Sequence, residues 1–326
     1  MSEEKRVLVT GAAGYIGSGV CRKLLSEGFS VIGMDSLMYG ATGLLPLLVM
    51  PRFEFVRLDI RDHSQFQQQL DRIRPFAVVH LAAIVGDPAC KKMPEAARQT
   101  NLDATKALFG VALENKTSRF IFASTCSNYG LSDSMALLSE DNALNPLSLY
   151  AETKVEAERW LIDNSATLET YILRFGTAHG LSARMRFDLT VNEFAQAIAM
   201  GSPFDVYDSE TWRPYCHVND FSDLICHICA DKKIRAGVNV FNVGSDEENY
   251  RKIDLINTIA QATSRTARFT DIGRGADRRN YRVSFAKVAA ELRFKPRYGV
   301  AYSARQISEA LGLDLFPFHG GRYANV

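Results

Sequence analysis

Residues 10–17 read Thr10-Gly11-Ala12-Ala13-Gly14-Tyr15-Ile16-Gly17, directly after the β-branched run Arg6–Thr10 and opening a stretch, Gly14–Glu27, with helical spacing. A strand that turns through glycines into a helix offers free backbone N–H groups to a pyrophosphate, and the glycines let the backbone come close to it. The spacing is G-x-x-G-x-x-G rather than the commoner G-x-G-x-x-G, so context has to support it. That context includes Asp35, which closes the next apolar run in Val31-Ile32-Gly33-Met34-Asp35. A carboxylate there accepts hydrogen bonds from an adenosine ribose and repels a 2′-phosphate, and no arginine follows within the next few residues. The expected cofactor is therefore NAD rather than NADP. Gly11, Gly14, Tyr15, Ile16, Gly17 and Asp35 are its expected contacts. Asp59 and Ile60 would flank the adenine, and Leu81, Ala82 and Ala83 would form a floor beside the pyrophosphate.

Outward from this motif, short apolar runs alternate with amphipathic stretches. Ser30–Met34, Phe53–Leu58, Phe76–Ala82, Arg119–Ala123 and Thr170–Phe175 read as strands; Ser64–Arg74, Pro94–Asn115 and Tyr150–Ile162 read as helices. Strands apolar on both faces, in alternation with helices, predict an α/β fold: a doubly wound parallel Rossmann sheet covered on both sides. After residue 176 the rhythm breaks into longer loops rich in Arg, Gly and aromatics, with helices expected near 188–200, 220–231, 252–263 and 300–311. The expected division is a cofactor domain at 1–175, with the chain returning to it at about 214–245, and a smaller mixed α/β lobe at 176–326 that binds substrate.

Bulk composition narrows the function classes. The 326 residues are 47% hydrophobic and 23% charged, and 38 basic side chains face 37 acidic ones for a net charge of +1. Such a balance supplies no electrostatic reason to expect nucleic acid or an anionic membrane as partner. No run approaches the ~20 apolar residues of a membrane helix, and the start lacks a signal-peptide core, so a cytoplasmic protein is expected. Six scattered cysteines then read as reduced thiols. Cys226-His227-Ile228-Cys229 invites a metal reading, but no second ligand pair follows and the stretch has the pattern of a buried helix face, so no metal is expected.

Tyr150 and Lys154 stand one helical turn apart, on one face. A free tyrosine has a pKa near ~10, and bringing it to ~7 takes roughly 4 kcal/mol. A neighbouring ammonium in a partly desolvated site, with the positive nicotinamide, is the expected source of that shift. The third element is Phe122-Ala123-Ser124-Thr125-Cys126-Ser127-Asn128-Tyr129-Gly130, where strand gives way to hydroxyls.

Together the glycine trio with Asp35, Ser124-Thr125-Cys126-Ser127, Tyr150-Ala151-Glu152-Thr153-Lys154, Asn101, Arg174-Phe175-Gly176-Thr177-Ala178-His179-Gly180 and Arg213-Pro214-Tyr215 resemble the extended short-chain dehydrogenase/reductase family, in its nucleotide-sugar epimerase and dehydratase branch. The resemblance covers nearly the whole chain. It implies oxidation of a nucleotide-linked sugar at C4 by hydride transfer to NAD, with Asn101 added to the cofactor contacts. Thr125 would hydrogen-bond the sugar 4-hydroxyl, Tyr150 take its proton, and Lys154 hold the nicotinamide ribose. Arg213 and Arg278 would bind the diphosphate, and Cys126, Thr177, His179 and Arg186 would lie near the substrate. The 4,6-dehydratases of the branch carry an Asp-Glu pair after the Thr, where this chain has Cys126-Ser127. Epimerase or 4-dehydrogenase is therefore the expected reaction, with dehydratase or a non-catalytic NAD sensor as alternatives. Ser182-Ala183-Arg184-Met185-Arg186-Phe187 and the tail Arg322-Tyr323-Ala324-Asn325 are similar to a sub-branch that includes GDP-heptose 4-dehydrogenases. The resemblance also implies a homodimer formed through the helices at 94–115 and 150–162. Nucleotide and sugar stay open at this point; Cys126 reads more readily as a small core residue than as an acid, since an unperturbed thiol is inert, and His179 reads equally as a structural loop histidine or as a proton carrier near the sugar.

Overall fold

A computed structural model describes residues 5–325 apart from 133–135, 166–167, 234, 236, 274, 276, 278 and 317–322. Seven parallel strands form the main sheet: β1 (Arg6–Thr10), β2 (Ser30–Asp35), β3 (Phe53–Arg57), β4 (Ala77–His80), β5 (Arg119–Thr125), β6 (Glu169–Phe175) and β7 (Val238–Val243). Their spatial order is β7-β6-β5-β4-β1-β2-β3. The order reverses between β1 and β4, and in open α/β sheets a ligand crevice opens beyond the carboxyl ends of the strands at that point.

Alternation along each strand divides the core. Val7, Val9 and Val31 point to one face, against Val20, Leu24, Phe221 and Leu224 of helices Gly17–Ser26 and Val218–Ala230. Leu8 and Ile32 point to the other, against Phe66, Leu108, Phe109 and Leu161 of helices His63–Ile73, Ala104–Glu114 and Leu149–Asn164. Cys226 and Cys229 are buried in the first of these layers, and among the described residues no three His, Cys, Asp or Glu side chains are grouped to hold a metal ion. No described helix is long and apolar enough to cross a membrane.

The chain returns to the main sheet through helix Val218–Ala230 and β7. Trp212–His217, which overlaps the start of the expected return segment, lies in a small second sheet between Thr177–His179 and Asn249–Arg251. A third core packs helices Thr190–Met200, Lys252–Thr263 and Val300–Gly312 together through Phe194, Ile198, Leu255, Ile259, Ala304 and Ile307. The single helix expected at 94–115 is in three parts, with a π turn at Gln99–Asp103 between Pro94–Arg98 and Ala104–Glu114. Such an extra residue in a helix often marks a functional position.

Candidate active site

A cavity of about 560 Å³ opens at the switch point and runs into the second lobe. Gly11, Gly14, Tyr15, Ile16 and Gly17 form one wall. Gly11 has φ +74, and a Cβ there would press on the backbone of Ala82; a Cβ at Gly17 would run into the carbonyl of Gly11. The turn closes only with hydrogen at both positions. Asp35 sits at the end of β2 and accepts from Ala13 N at 3.0 Å and Leu37 N at 2.8 Å. Burial raises its pKa, opposed by those two N–H groups and by Arg184. Asp59, Ile60, Leu81, Ala82 and Ala83 also line the cavity, with Asp59 held by Arg61 Nη2 at 2.6 Å.

Thr125, Tyr150 and Lys154 line the same cavity. Thr125 is the last residue of β5 and caps a 3-10 turn, its Oγ1 accepting from Ser127 N at 3.1 Å. Ser148 caps the next helix by accepting from Ala151 N at 3.4 Å, which sets Tyr150 in its first turn and Lys154 in its second. Lys154 Nζ donates to Ala123 O at 2.9 Å and lies 4.5 Å from the Phe122 ring centre. Burial lowers its pKa to about 8. Tyr150 goes the other way: burial pushes its phenol well above the ordinary value, more than Arg186 and Arg279 pull it down. The protein's own groups therefore hold the phenol protonated, and a further positive charge has to act on it before it becomes a base.

Beneath these groups lies a buried ion pair, Arg174 Nη2 to Glu158 Oε2 at 2.8 Å. Ser124 and Asn128 also donate to Glu158, the latter at 2.8 Å. This ties β5, β6 and the Tyr150 helix into one platform.

At the substrate end, Thr177, Arg186 and Arg213 line the cavity. Arg213 pairs with Asp277 at 3.1 Å, and Arg279 reaches Asp277 at 2.8 Å, Asp87 at 2.9 Å and Ser127 Oγ at 3.2 Å. Burial disfavours the Asp277 carboxylate, yet the Arg279 hydrogen bonds and Arg213 hold its pKa well below the usual range. Arg278 lies outside the described residues.

Three expected site residues are not brought to the cavity. Cys126 begins the 3-10 turn and so points into the core, where its thiol donates to Arg174 O at 3.1 Å and burial raises its pKa far above the ordinary value. His179 is buried between Ser303, at 2.7 Å from Nδ1, and His217, and burial lowers its pKa well below the ordinary value. Asn101 acts from behind the wall: from the π turn it accepts from Ile84 N at 2.8 Å and donates to Ile84 O at 3.0 Å, fixing the segment after the Ala82-Ala83 floor.

Sequence reasoning passed over Ser127, Arg279, Tyr281, Lys252 and Asn325 as site residues, all of which line the cavity. For Arg279 the available signal was its place in an arginine-rich loop. Lys252 and Asn325 arrive from distant segments and carry no local signature.

The model of the NAD dependent epimerase/dehydratase family matches residues 7–244. The chain belongs to this family. Members are NAD-dependent, and a carboxylate at Asp35 lining the cavity beside the glycine turn agrees with that cofactor. A UDP-glucose 4-epimerase of Rhizobium meliloti is 29% identical over 79% of this chain and 83% of its own length. Among solved structures, the UDP-glucuronic acid 4-epimerase of Bacillus cereus, in complex with UDP-glucuronic acid and NAD, superposes with a TM-score of 0.84 at 25% identity, covering 95% of this chain and 100% of that one. The dTDP-glucose 4,6-dehydratase DesIV of Streptomyces venezuelae, with NAD bound, has a TM-score of 0.82 at 26% identity, over 94% and 98%.

Proposed function

We propose that this family member is a 4-epimerase of a nucleoside-diphosphate sugar, working through a 4-keto intermediate. The observation that carries the reading is that Thr125, Tyr150 and Lys154 share one cavity with the glycine turn and Asp35 at one end and Arg213 and Arg279 at the other. Such a cavity suits a bound dinucleotide beside a second ligand whose diphosphate meets guanidinium forks. The dinucleotide would be held by the glycine turn and Asp35, and bound NAD supplies a ring that accepts hydride from C4. In this reading Thr125 Oγ1 hydrogen-bonds the 4-hydroxyl and Tyr150 Oη takes its proton. Lys154, still an ammonium below its pKa of about 8, adds positive charge at the same wall. Return of hydride and proton to the opposite sugar face after rotation gives the epimer.

A dehydratase reading is favoured by the likeness to DesIV. Against it, Cys126 is buried in the core with a raised pKa, so only Ser127 faces the cavity where that chemistry needs an acid and a base. The test is incubation with a panel of nucleotide sugars, following product mass and reduced-cofactor absorbance together. Unchanged mass with an altered sugar supports epimerisation; loss of two hydrogens would identify a 4-dehydrogenase, and loss of a water a dehydratase. A homodimer is part of the same proposal, since Leu113 and Ile162 leave apolar surface exposed on helices Ala104–Glu114 and Leu149–Asn164. Six free cysteines fit a reducing cytoplasm.

A further inference from the structure

The cavity wall is completed by the far end of the chain. Phe187 N donates to Tyr323 O at 2.8 Å, Arg184 Nη2 to Ala324 O at 3.2 Å, and Asn325 N to the Asp188 carboxylate at 3.4 Å. The rings of Phe187 and Tyr323 meet edge to face at 5.7 Å. Residues 323–325 are thereby fastened to loop 184–188, and both Asn325 and Arg184 line the cavity.

Two polar atoms of this junction are buried with no hydrogen-bond partner, Asn325 Oδ1 and Arg184 Nε. The residues are only 7% and 4% exposed. Among the described residues no carboxylate pairs with Arg184, because Asp188 is taken by Arg186 at 2.5 Å. A buried cation beside the like charge of Arg186, on a side chain that lines the cavity, calls for an anion from outside the chain. Position says which one. The guanidinium lies 5.0 Å from the centre of the Tyr39 ring, just beyond β2, and its charge acts on Asp35. That is the adenosine end of the cleft, away from Arg213 and Arg279.

We propose that Arg184 and Asn325 are a cofactor-binding pair: the guanidinium takes a phosphate oxygen of the dinucleotide and Asn325 Oδ1 accepts from a ribose hydroxyl. The pair makes the C-terminal tail part of the NAD site and keeps NAD bound between turnovers. This suits a reaction that returns its hydride to the same substrate. The inference rests on the reading that the cavity holds NAD beside a nucleotide sugar.

Release of radiolabelled NAD from the full-length protein into excess unlabelled NAD tests it. Asn325→Ala and Arg184→Met are expected to accelerate release about tenfold or more, the loss of one hydrogen bond to or from a charged or buried group. Arg184→Lys should recover part of the difference, and the KM for the nucleotide sugar should stay within about twofold. A melting curve checks that each variant folds, and Asn325→Ala leaves the backbone bond to Asp188 in place. Unchanged release rates, or a raised sugar KM with NAD release unchanged, would overturn the pair as a cofactor site. Wild-type protein that retains no label would instead remove the underlying reading of the cavity, and the proposal with it.

Discussion

Replacing Lys154 by methionine should make the NAD-free protein more stable while abolishing its activity. The lysine is buried, and its pKa of about 8 lies below the ordinary 10.5. Holding it charged at pH 7 therefore costs about 3 kcal/mol, at 1.36 per unit. Methionine removes that cost and keeps the apolar stem. It also removes the hydrogen bond to Ala123 O and the contact with the Phe122 ring, worth about 1 kcal/mol together. The expected net gain is about 2 kcal/mol, read as a higher urea midpoint at unchanged slope. The pH dependence carries the sign. A lysine whose folded pKa is depressed penalises the native state fully below about 8, and the penalty fades as pH rises toward 10.5. At pH 9.5 it has fallen to about 1 kcal/mol, so wild type and variant should unfold at nearly the same urea concentration. A variant less stable than wild type at pH 7, or a gap that does not change with pH, would refute the reasoning. Both proteins must be stripped of cofactor, since a ligand bound only by the native state adds its own stabilisation.

Tyr150→Phe should lower turnover by several orders of magnitude while NAD stays bound, as read by product formation and by cofactor content after gel filtration; retained turnover would remove the phenol from the reaction. Cys126→Ala should keep activity within about twofold and cost about 1 kcal/mol in urea unfolding, because the thiol packs in the core and donates to Arg174 O. Gly17→Ala should abolish NAD binding or folding, since its Cβ would collide with the Gly11 carbonyl, and a titration with NAD measures the loss.

The frame of the fold was readable because it rests on local patterns. β1 spans Arg6–Thr10 as expected, and Ser30–Asp35 and Glu169–Phe175 differ from the expected strands by a single residue. The runs are apolar on both faces, which only a doubly covered sheet rewards. The π turn at Gln99–Asp103 was hidden, because one extra residue per helix leaves the apolar periodicity nearly unchanged. At the site, Thr125 ends β5 and lines the cavity, while Cys126 opens the 3-10 turn and packs in the core, as its small apolar side chain already suggested. His179 looked available as a loop residue, yet it ends the strand Thr177–His179 with its ring buried against Ser303 and His217. Asn325 depended on closure of the whole second lobe against loop 184–188, which no window of neighbouring residues encodes.

Glu158 stands one turn beyond Lys154, as Lys154 stands one turn beyond Tyr150, so a single stripe along the helix carries chemistry at its start and an anchor farther on. The anchor grips Ser124 and Arg174, the latter on the neighbouring β6. Tyr150, Lys154 and Thr125 thus travel as one body, and tilting that helix would drag Thr125 with it, so the spacing of the three side chains is set by the anchor rather than by whatever occupies the cavity.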